Sequence, residues 1–258
     1  MPGPSDADAP ILEFDADRTA VIEPGHVRGR LARAPEHAVL CLFGEVTERL
    51  AREGTPVLWE LKAAHGVHPV YGIEVDGHPV AVFHPGVGAP LAGTFLEEAI
   101  EYGCRKFVGI GMAGGLVPDL MIGHVTVPTA AVRDEGTSYH YLPASRRVEP
   151  ASEAVLAIED VLRSHDVPYV AGTTWTTDAP YRETRGKVDR RVAEGCITVE
   201  MEAAALFAIA RFRDVPLGMI FMTSDDLSGD QWDPSGFEAN LDTRERLLLL
   251  AAEAVLRL

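Results

Sequence analysis

Positive charge is scarce in this sequence: 23 lysines and arginines face 39 aspartates and glutamates over 258 residues, leaving a formal net charge of -16. Such a surface repels a nucleic-acid backbone and an anionic membrane, so neither is expected as a partner, and a small molecule fits better. Cysteine is scarce too. Cys41, Cys104 and Cys196 are odd in number, widely spaced and without a Cys-x-x-Cys pair, which excludes a disulfide framework and a zinc cluster and points to a reducing, cytoplasmic setting. No stretch approaches the roughly 18 consecutive apolar residues of a membrane span. The first ten residues, Met1 to Pro10, lack the basic and apolar runs of a secretory leader and read as a flexible lead-in. Repeats and low-complexity tracts are missing, and composition does not shift along the chain. Residues 11–258 therefore read as one α/β domain.

Within it, short β-branched runs alternate with longer helical patterns, the signature of a central sheet flanked by helices. Strands are expected at Thr19 to Ile22, Val39 to Phe43, Pro69 to Val75, Val80 to Phe83, Phe107 to Gly111, Val125 to Val132, Val170 to Thr176 and Leu217 to Thr223. Asp76-Gly77 predicts a hairpin turn. Helices are expected at Ala89 to Tyr102, ended by Gly103; at Ser152 to His165, capped by Ser152; at Glu202 to Arg213; and from Asp242 to the C-terminus, with Asp242 and Glu245 as a capping box. The Glu202 helix is apolar on almost every face, so sheet or another subunit must enclose it.

Four segments carry residues suited to chemistry. Pro85-Gly86-Val87-Gly88-Ala89-Pro90 lies between a strand and a helix; it can be a plain tight turn, or it can let backbone approach a ligand. Gly109-Ile110-Gly111-Met112-Ala113-Gly114-Gly115 ends a strand, where open α/β sheets place their sites, although a bulged connection would explain the glycines equally. Arg133 to Pro143 is a polar loop rich in hydroxyls, with Tyr139, His140 and Tyr141. Val199-Glu200-Met201-Glu202 opens the apolar helix, and Met222-Thr223-Ser224-Asp225 ends the next strand. Two glutamates there can complement the helix dipole. A carboxylate against an apolar core nevertheless needs partners, and two vicinal ribose hydroxyls would supply them.

In this order, Gly86-x-Gly88, Gly111-x-x-Gly114-Gly115, Val132-Arg133-x-x-Gly136-Thr137-Ser138-x-His140-Tyr141, Val199-Glu200-Met201-Glu202 and Ser224-Asp225 resemble the nucleoside phosphorylase superfamily: uridine phosphorylases, hexameric purine nucleoside phosphorylases and adenosine-type nucleosidases. The resemblance runs from about Val80 to the C-terminus. It implies a twisted mixed central sheet flanked by helices, no cofactor, a nucleoside substrate with phosphate as co-substrate, and a homo-oligomer, dimer or hexamer. It assigns ribose binding to Glu202, Met201 and Glu200, and leaving-base protonation to Asp225, with Glu202 and Asp225 as the catalytic pair. Base recognition falls to Thr176, Asp178, Tyr181, Val199 and Asp225. The loop from Arg133 to Pro143 is most similar to uridine phosphorylases, whereas Ser224-Asp225 resembles the purine-cleaving branches, so a purine is favoured.

The sequence departs from the family where phosphate is held. The N-terminal glycine-aspartate-proline loop has only Glu23-Pro24-Gly25-His26-Val27-Arg28 as counterpart, and the family's arginine and threonine are replaced by Gly109 and Met112. Phosphate would then rest on Arg28, Arg30, Arg133 or His84 with the backbone of Gly86 to Gly88 and the Gly111-Met112 region, since a dianion needs charge-assisted donors. Otherwise water is the nucleophile, as in the nucleosidases, or the protein binds a nucleoside without cleaving it. A metal site on His65, His68, His78 and His84 matches no standard ligand spacing.

Overall fold

The computed structural model describes residues 9–27, 34–64, 66–236 and 241–258. Most of the N-terminal lead-in, together with Arg28, Arg30 and His65, lies outside them. The strands are β1 (His37–Cys41), β2 (Val57–Ala63), β3 (Gly66–Val75), β4 (His78–Phe83), β5 (Lys106–Gly115), β6 (Val125–Asp134), β7 (Arg147–Val148), β8 (Tyr169–Thr177), β9 (Cys196–Glu200) and β10 (Leu217–Asp226). The helices are α1 (Pro24–Val27), α2 (Gly44–Arg52), α3 (Ala89–Tyr102), α4 (Ser152–Ser164), α5 (Arg185–Ala193), α6 (Ala203–Phe212) and α7 (Leu241–Leu256).

All ten strands form one mixed sheet in the order β10-β6-β8-β9-β5-β1-β4-β3-β2, with β7 beside β6. Because β10 also pairs with β5, the strands β10, β6, β8, β9 and β5 close into a ring, from which β1, β4, β3 and β2 extend as an open wing. The β5–β10 pairing is parallel and runs from Phe107 opposite Leu217 to Gly115 opposite Asp226, with a bulge between Thr223 and Asp225. Side chains alternate across these strands, as the two-residue period demands. Phe107, Met219 and Phe221 join α3 and α6 in one apolar cluster; Val108, Ile220 and Met222 join α4 and α7 in another. A third, around Trp175, Val188 and Cys196, lies beneath α5.

The helix from Ala89 to Tyr102 has the expected bounds, and Gly103 ends it with φ of 123°. Asp76 and Gly77 both take positive φ and join β3 to β4. Elsewhere the local signals misled. Thr19 to Ile22 forms no strand. Ser152 is the first helical residue of α4, with Ala151 at the cap position and no side-chain capping bond. Strands β2 and β9 and helices α2 and α5, which hydropathy did not reveal, are short elements whose place is set by their neighbours. The Leu247 to Leu250 run is largely this chain's own core: Leu247, Leu248 and Leu250 are buried and only Leu249 is exposed.

Helix α6 is buried from Ala203 to Ala210, enclosed by α3 and the sheet of its own chain. Phe207, 1% exposed, anchors it. Phe207→Ala removes that anchor and leaves a cavity, so equilibrium unfolding in urea should show a loss of about 3–5 kcal/mol.

Candidate active site

The strand ends of the ring open onto a cavity of about 550 Å³, whose wall includes Met112, Gly114, Tyr181, Glu183, Val199, Glu200, Met201, Glu202, Ser224, Asp225 and Trp232. One half of it is built where β9 turns into α6. Glu202 is the N-cap of α6 rather than a residue of its first turn, and it makes no side-chain bond to its own helix. One oxygen, Oε1, instead accepts from the Gly88 amide at 2.5 Å, across from the loop before α3. Gly88 can present that amide because its φ is 89°, a conformation that side chains disfavour.

Glu200 does the capping. Its Oε2 accepts from the amides of Glu202 at 2.7 Å and Ala203 at 2.6 Å, and its Oε1 from the hydroxyls of Thr176 at 2.5 Å and Thr174 at 3.4 Å. Thr176 in turn accepts from the Ala204 amide at 2.9 Å. The carboxylate of Glu200 thus ties β8 and β9 to the positive end of α6. The sequence reading placed Glu200 on the ribose and Thr176 on the base. Both are occupied by this internal network, and Thr176 does not reach the cavity wall. Met201 and Val199 do line the cavity as expected.

At the other end, the bulge in β10 turns Asp225 into the cavity. Its Oδ1 accepts from the Ser224 hydroxyl at 2.7 Å and its Oδ2 from the Trp232 indole N–H at 2.8 Å. Trp232 is held there by a backbone bridge between Asp226 and Asp233 that folds the following loop back. Gly114, opposite Asp225, leaves the necessary room: a Cβ there would meet Leu227 Cδ1 at 2.5 Å and Asp225 Oδ2 at 3.2 Å. Glu183 and Trp232 are wall residues that the sequence reading missed. No motif marks either. Glu183 follows a 3-10 turn at Pro180–Arg182, and Arg185 at the start of α5 donates to the carbonyls of Leu227 at 3.0 Å and of Gly229. That clamp brings the segment against the Asp225 loop. Tyr181, 99% exposed, stands at the rim.

Other expected residues lie elsewhere. Arg133 is turned into its own loop, donating to Ser138 Oγ at 2.8 Å, Ser145 Oγ at 2.7 Å and the carbonyls of Pro143 and Leu142, with Tyr139 beneath its guanidinium. Asp178 accepts from the Gly136 amide at 2.8 Å and faces a separate groove beside α1, α3 and α6. His84 accepts from the Gly86 amide on Nδ1 at 3.0 Å, and burial followed by the nearby His68 lowers its pKa, so it is a neutral ring holding the loop. The Gly86 and Gly88 amides are therefore both occupied within the chain. Gly111 is buried between Leu42 and Phe221, whereas Met112 reaches the cavity. At Gly109 a Cβ would lie 2.1 Å from Met219 Sδ, so the packing of β10 on β5 leaves no space there for an arginine.

The cavity is strongly acidic. Glu183, Glu200, Glu202 and Asp225 line it, and its described wall carries no lysine, arginine or histidine. Burial raises the pKa of Glu200 and Glu202, and the charge of Glu202 adds to the rise at Glu200. Glu183 is pushed up to about 7 by burial and then by the charge of Asp225, against a smaller opposing pull from Lys187.

Residues 36–258 match the family model of the Phosphorylase superfamily, and the chain belongs to that family. Its relatives in that family are enzymes acting on glycosidic bonds. It is 28% identical over 201 residues to guanosine phosphorylase of Halorubrum lacusprofundi, covering 76% of this chain and 83% of the relative. It is 28% identical over 172 residues to uridine phosphorylase of Escherichia coli K12, covering 61% and 68% respectively. Among solved structures, AMP nucleosidase from Bacteroides thetaiotaomicron superposes with a TM-score of 0.69 at 22% identity over 85% of this chain and 86% of that one, a likeness of fold.

The raised carboxyls set a sign for the pH dependence of stability. A carboxyl whose folded pKa lies above its unfolded value binds more protons when folded, so stability falls as pH rises above the ordinary glutamate range. Glu202→Gln keeps an oxygen for the Gly88 amide and removes the charge. It is expected to raise stability at pH 8 by about 1 kcal/mol and to flatten the fall between pH 5 and pH 8, read from melting temperatures.

Proposed function

We propose that this protein cleaves the N-glycosidic bond of a nucleoside, with purines favoured, by phosphorolysis to free base and ribose 1-phosphate, without a cofactor and as a cytoplasmic homo-oligomer in purine salvage. The observation that carries the reading is the pairing of Glu202 and Asp225 across one cavity, each held by hydrogen bonds that leave its carboxyl on the wall. The 2′- and 3′-hydroxyls of a ribose donate to Glu202, and Met201 packs on the sugar. The base then lies between Tyr181, Val199 and Asp225. As the C1′–N bond lengthens, the sugar becomes an oxocarbenium-like cation. A wall of carboxyls stabilises that charge more than it stabilises the neutral ground state, which is the condition for acceleration. The names of the relatives, guanosine and uridine phosphorylases, support phosphate as the nucleophile. The purine preference rests on Asp225, which can serve a ring nitrogen that pyrimidine nucleosides lack.

A second reading, hydrolysis, is favoured by one observation: the described wall offers no cation, and the Gly86 and Gly88 amides and Arg133 are occupied inside the chain. A phosphate dianion would gain little there from this chain's described residues. Water carries no such requirement. Turnover of guanosine, inosine, adenosine and uridine with and without phosphate separates the two. Ribose 1-phosphate formed only when phosphate is present supports phosphorolysis; undiminished release of free ribose in its absence assigns hydrolysis.

Glu202→Ala should lower kcat/KM for the preferred nucleoside by about 100-fold or more, the scale expected for one preorganised charge contact to the transition state. Equal turnover by wild type and variant in a steady-state assay would remove Glu202 from the site.

A further inference from the structure

Trp232 does not behave as a loop anchor. Aromatic side chains stabilise a fold by burying their rings, and the chain's other two tryptophans, Trp59 and Trp175, are buried. The indole of Trp232 is instead 60% exposed, on the wall of the cavity. Its N–H, however, donates to Oδ2 of the buried Asp225 at 2.8 Å. The loop that carries it is tied down by other groups. The amides of Asp226 and Asp233 donate to each other's carbonyls at 2.9 and 3.0 Å, and the carboxylates of the same two residues accept from the amides of Ser228 at 2.7 Å and Ser235 at 2.9 Å. Arg185 clamps the carbonyls of Leu227 and Gly229, and Gly236 lies so close to the Ser224 carbonyl that a Cβ would not fit. These ties hold the loop without an indole. What the indole adds is a donor on one oxygen of Asp225, opposite the Ser224 hydroxyl, which donates to the other oxygen at 2.7 Å. An indole N–H cannot accept, so its contact with Oδ2 has one sense only, and the two donors together fix the plane of the carboxyl.

We propose that Trp232 is a positioning residue for the reaction: its indole N–H holds the Asp225 carboxyl toward the leaving base and stabilises the negative charge that appears there as the carboxyl gives up its proton. This rests on the reading of the protein as an enzyme that cleaves purine nucleosides with Asp225 serving the base, and deepens it. In the step, the C1′–N9 electron pair of the nucleoside moves into the base as the bond breaks. Asp225 gives its proton to N7, so the base departs neutral and Asp225 becomes a carboxylate. The nucleophile, phosphate or water, forms the new bond to C1′; the proton it loses passes to solvent, from which Asp225 is reprotonated. A hydrogen bond to a carboxylate is shorter and stronger than one to a neutral carboxyl, so the Trp232 bond tightens as the proton leaves. An interaction stronger in the transition state than in the ground state accelerates the step. The exposed ring supplies the wall that the bound base covers.

The test is Trp232→Phe, which keeps a ring and removes the N–H, assayed on whichever of guanosine, inosine and adenosine the wild type cleaves best. Its kcat is expected to fall about 10-fold or more while KM stays within about twofold of wild type. Trp232→Ala, which removes the ring as well, should raise KM in addition. In single turnovers with enzyme in excess, which resolve slow cleavage, adding Trp232→Phe to Asp225→Asn should cause no further loss, because the N–H acts through that carboxyl. Binding of the free base should change the indole emission of the wild type, and that change should be missing from Trp232→Phe, since Trp59 and Trp175 are buried. A kcat close to that of wild type, a loss confined to KM, or the full loss repeated on Asp225→Asn would each overturn the proposal and leave Trp232 as a loop contact. So would wild-type emission that saturating base does not move. A wild type that cleaves none of the three nucleosides would instead sink the purine-nucleoside reading itself, which is a different result from any of these.

Discussion

The carboxylate of Glu200 is the constraint on which the site depends. It is a buried carboxyl that accepts from four donors, two of them the first amides of α6 and two of them threonines of β8. A buried carboxyl without partners would be costly, and here the partners come from two different elements. Once they are in place, the path of the chain from β9 into α6 has little freedom. Glu202 then has to emerge toward the Gly88 amide, and the apolar face of α6 must settle on α3 and the sheet. The position of Glu202 on the cavity wall is thus a consequence of satisfying a different glutamate.

The division between the two glutamates bears on how much of the site was legible in the sequence. The Val199 to Glu202 segment stood out because carboxylates against an apolar helix demand an explanation, and the resemblance to nucleoside phosphorylases supplied one. What the sequence could not distinguish was which glutamate satisfies the helix and which faces a ligand, because the dipole explanation and the ribose explanation fit both. In the structure Glu200 accepts from the first amides of α6, whereas Glu202 accepts from the Gly88 amide. Asp225 was visible for the same reason as Glu202, by its place after an apolar strand.

The residues that escaped notice share another property. Glu183 and Trp232 lie in polar loops whose composition is ordinary, and only a carbonyl clamp from Arg185 and a two-residue bridge bring them to Asp225. Long-range bonds of that kind leave no periodicity to read. The same holds for β9 and α5, too short for a hydropathy pattern and defined by the elements they pair with or cover. Conversely Thr19 to Ile22 has strand composition and no partner strand, and propensity without a partner is insufficient. Arg133 shows the same limit for chemistry: its charge suggested an anion, and its own loop takes up all three of its nitrogens.

The ring of strands has a consequence for the order in which the protein comes into being. Its closing member, β10, pairs with β5 from about a hundred residues earlier in the chain, and such distant pairings are slow to find. Glu202 precedes β10, and Asp225 sits at that strand's far end. During synthesis Glu202 is therefore translated before the strand that carries Asp225 exists, and the two meet across one cavity only when the ring shuts. A chain interrupted before residue 217 would carry Glu202 without the strand that closes the cavity around it.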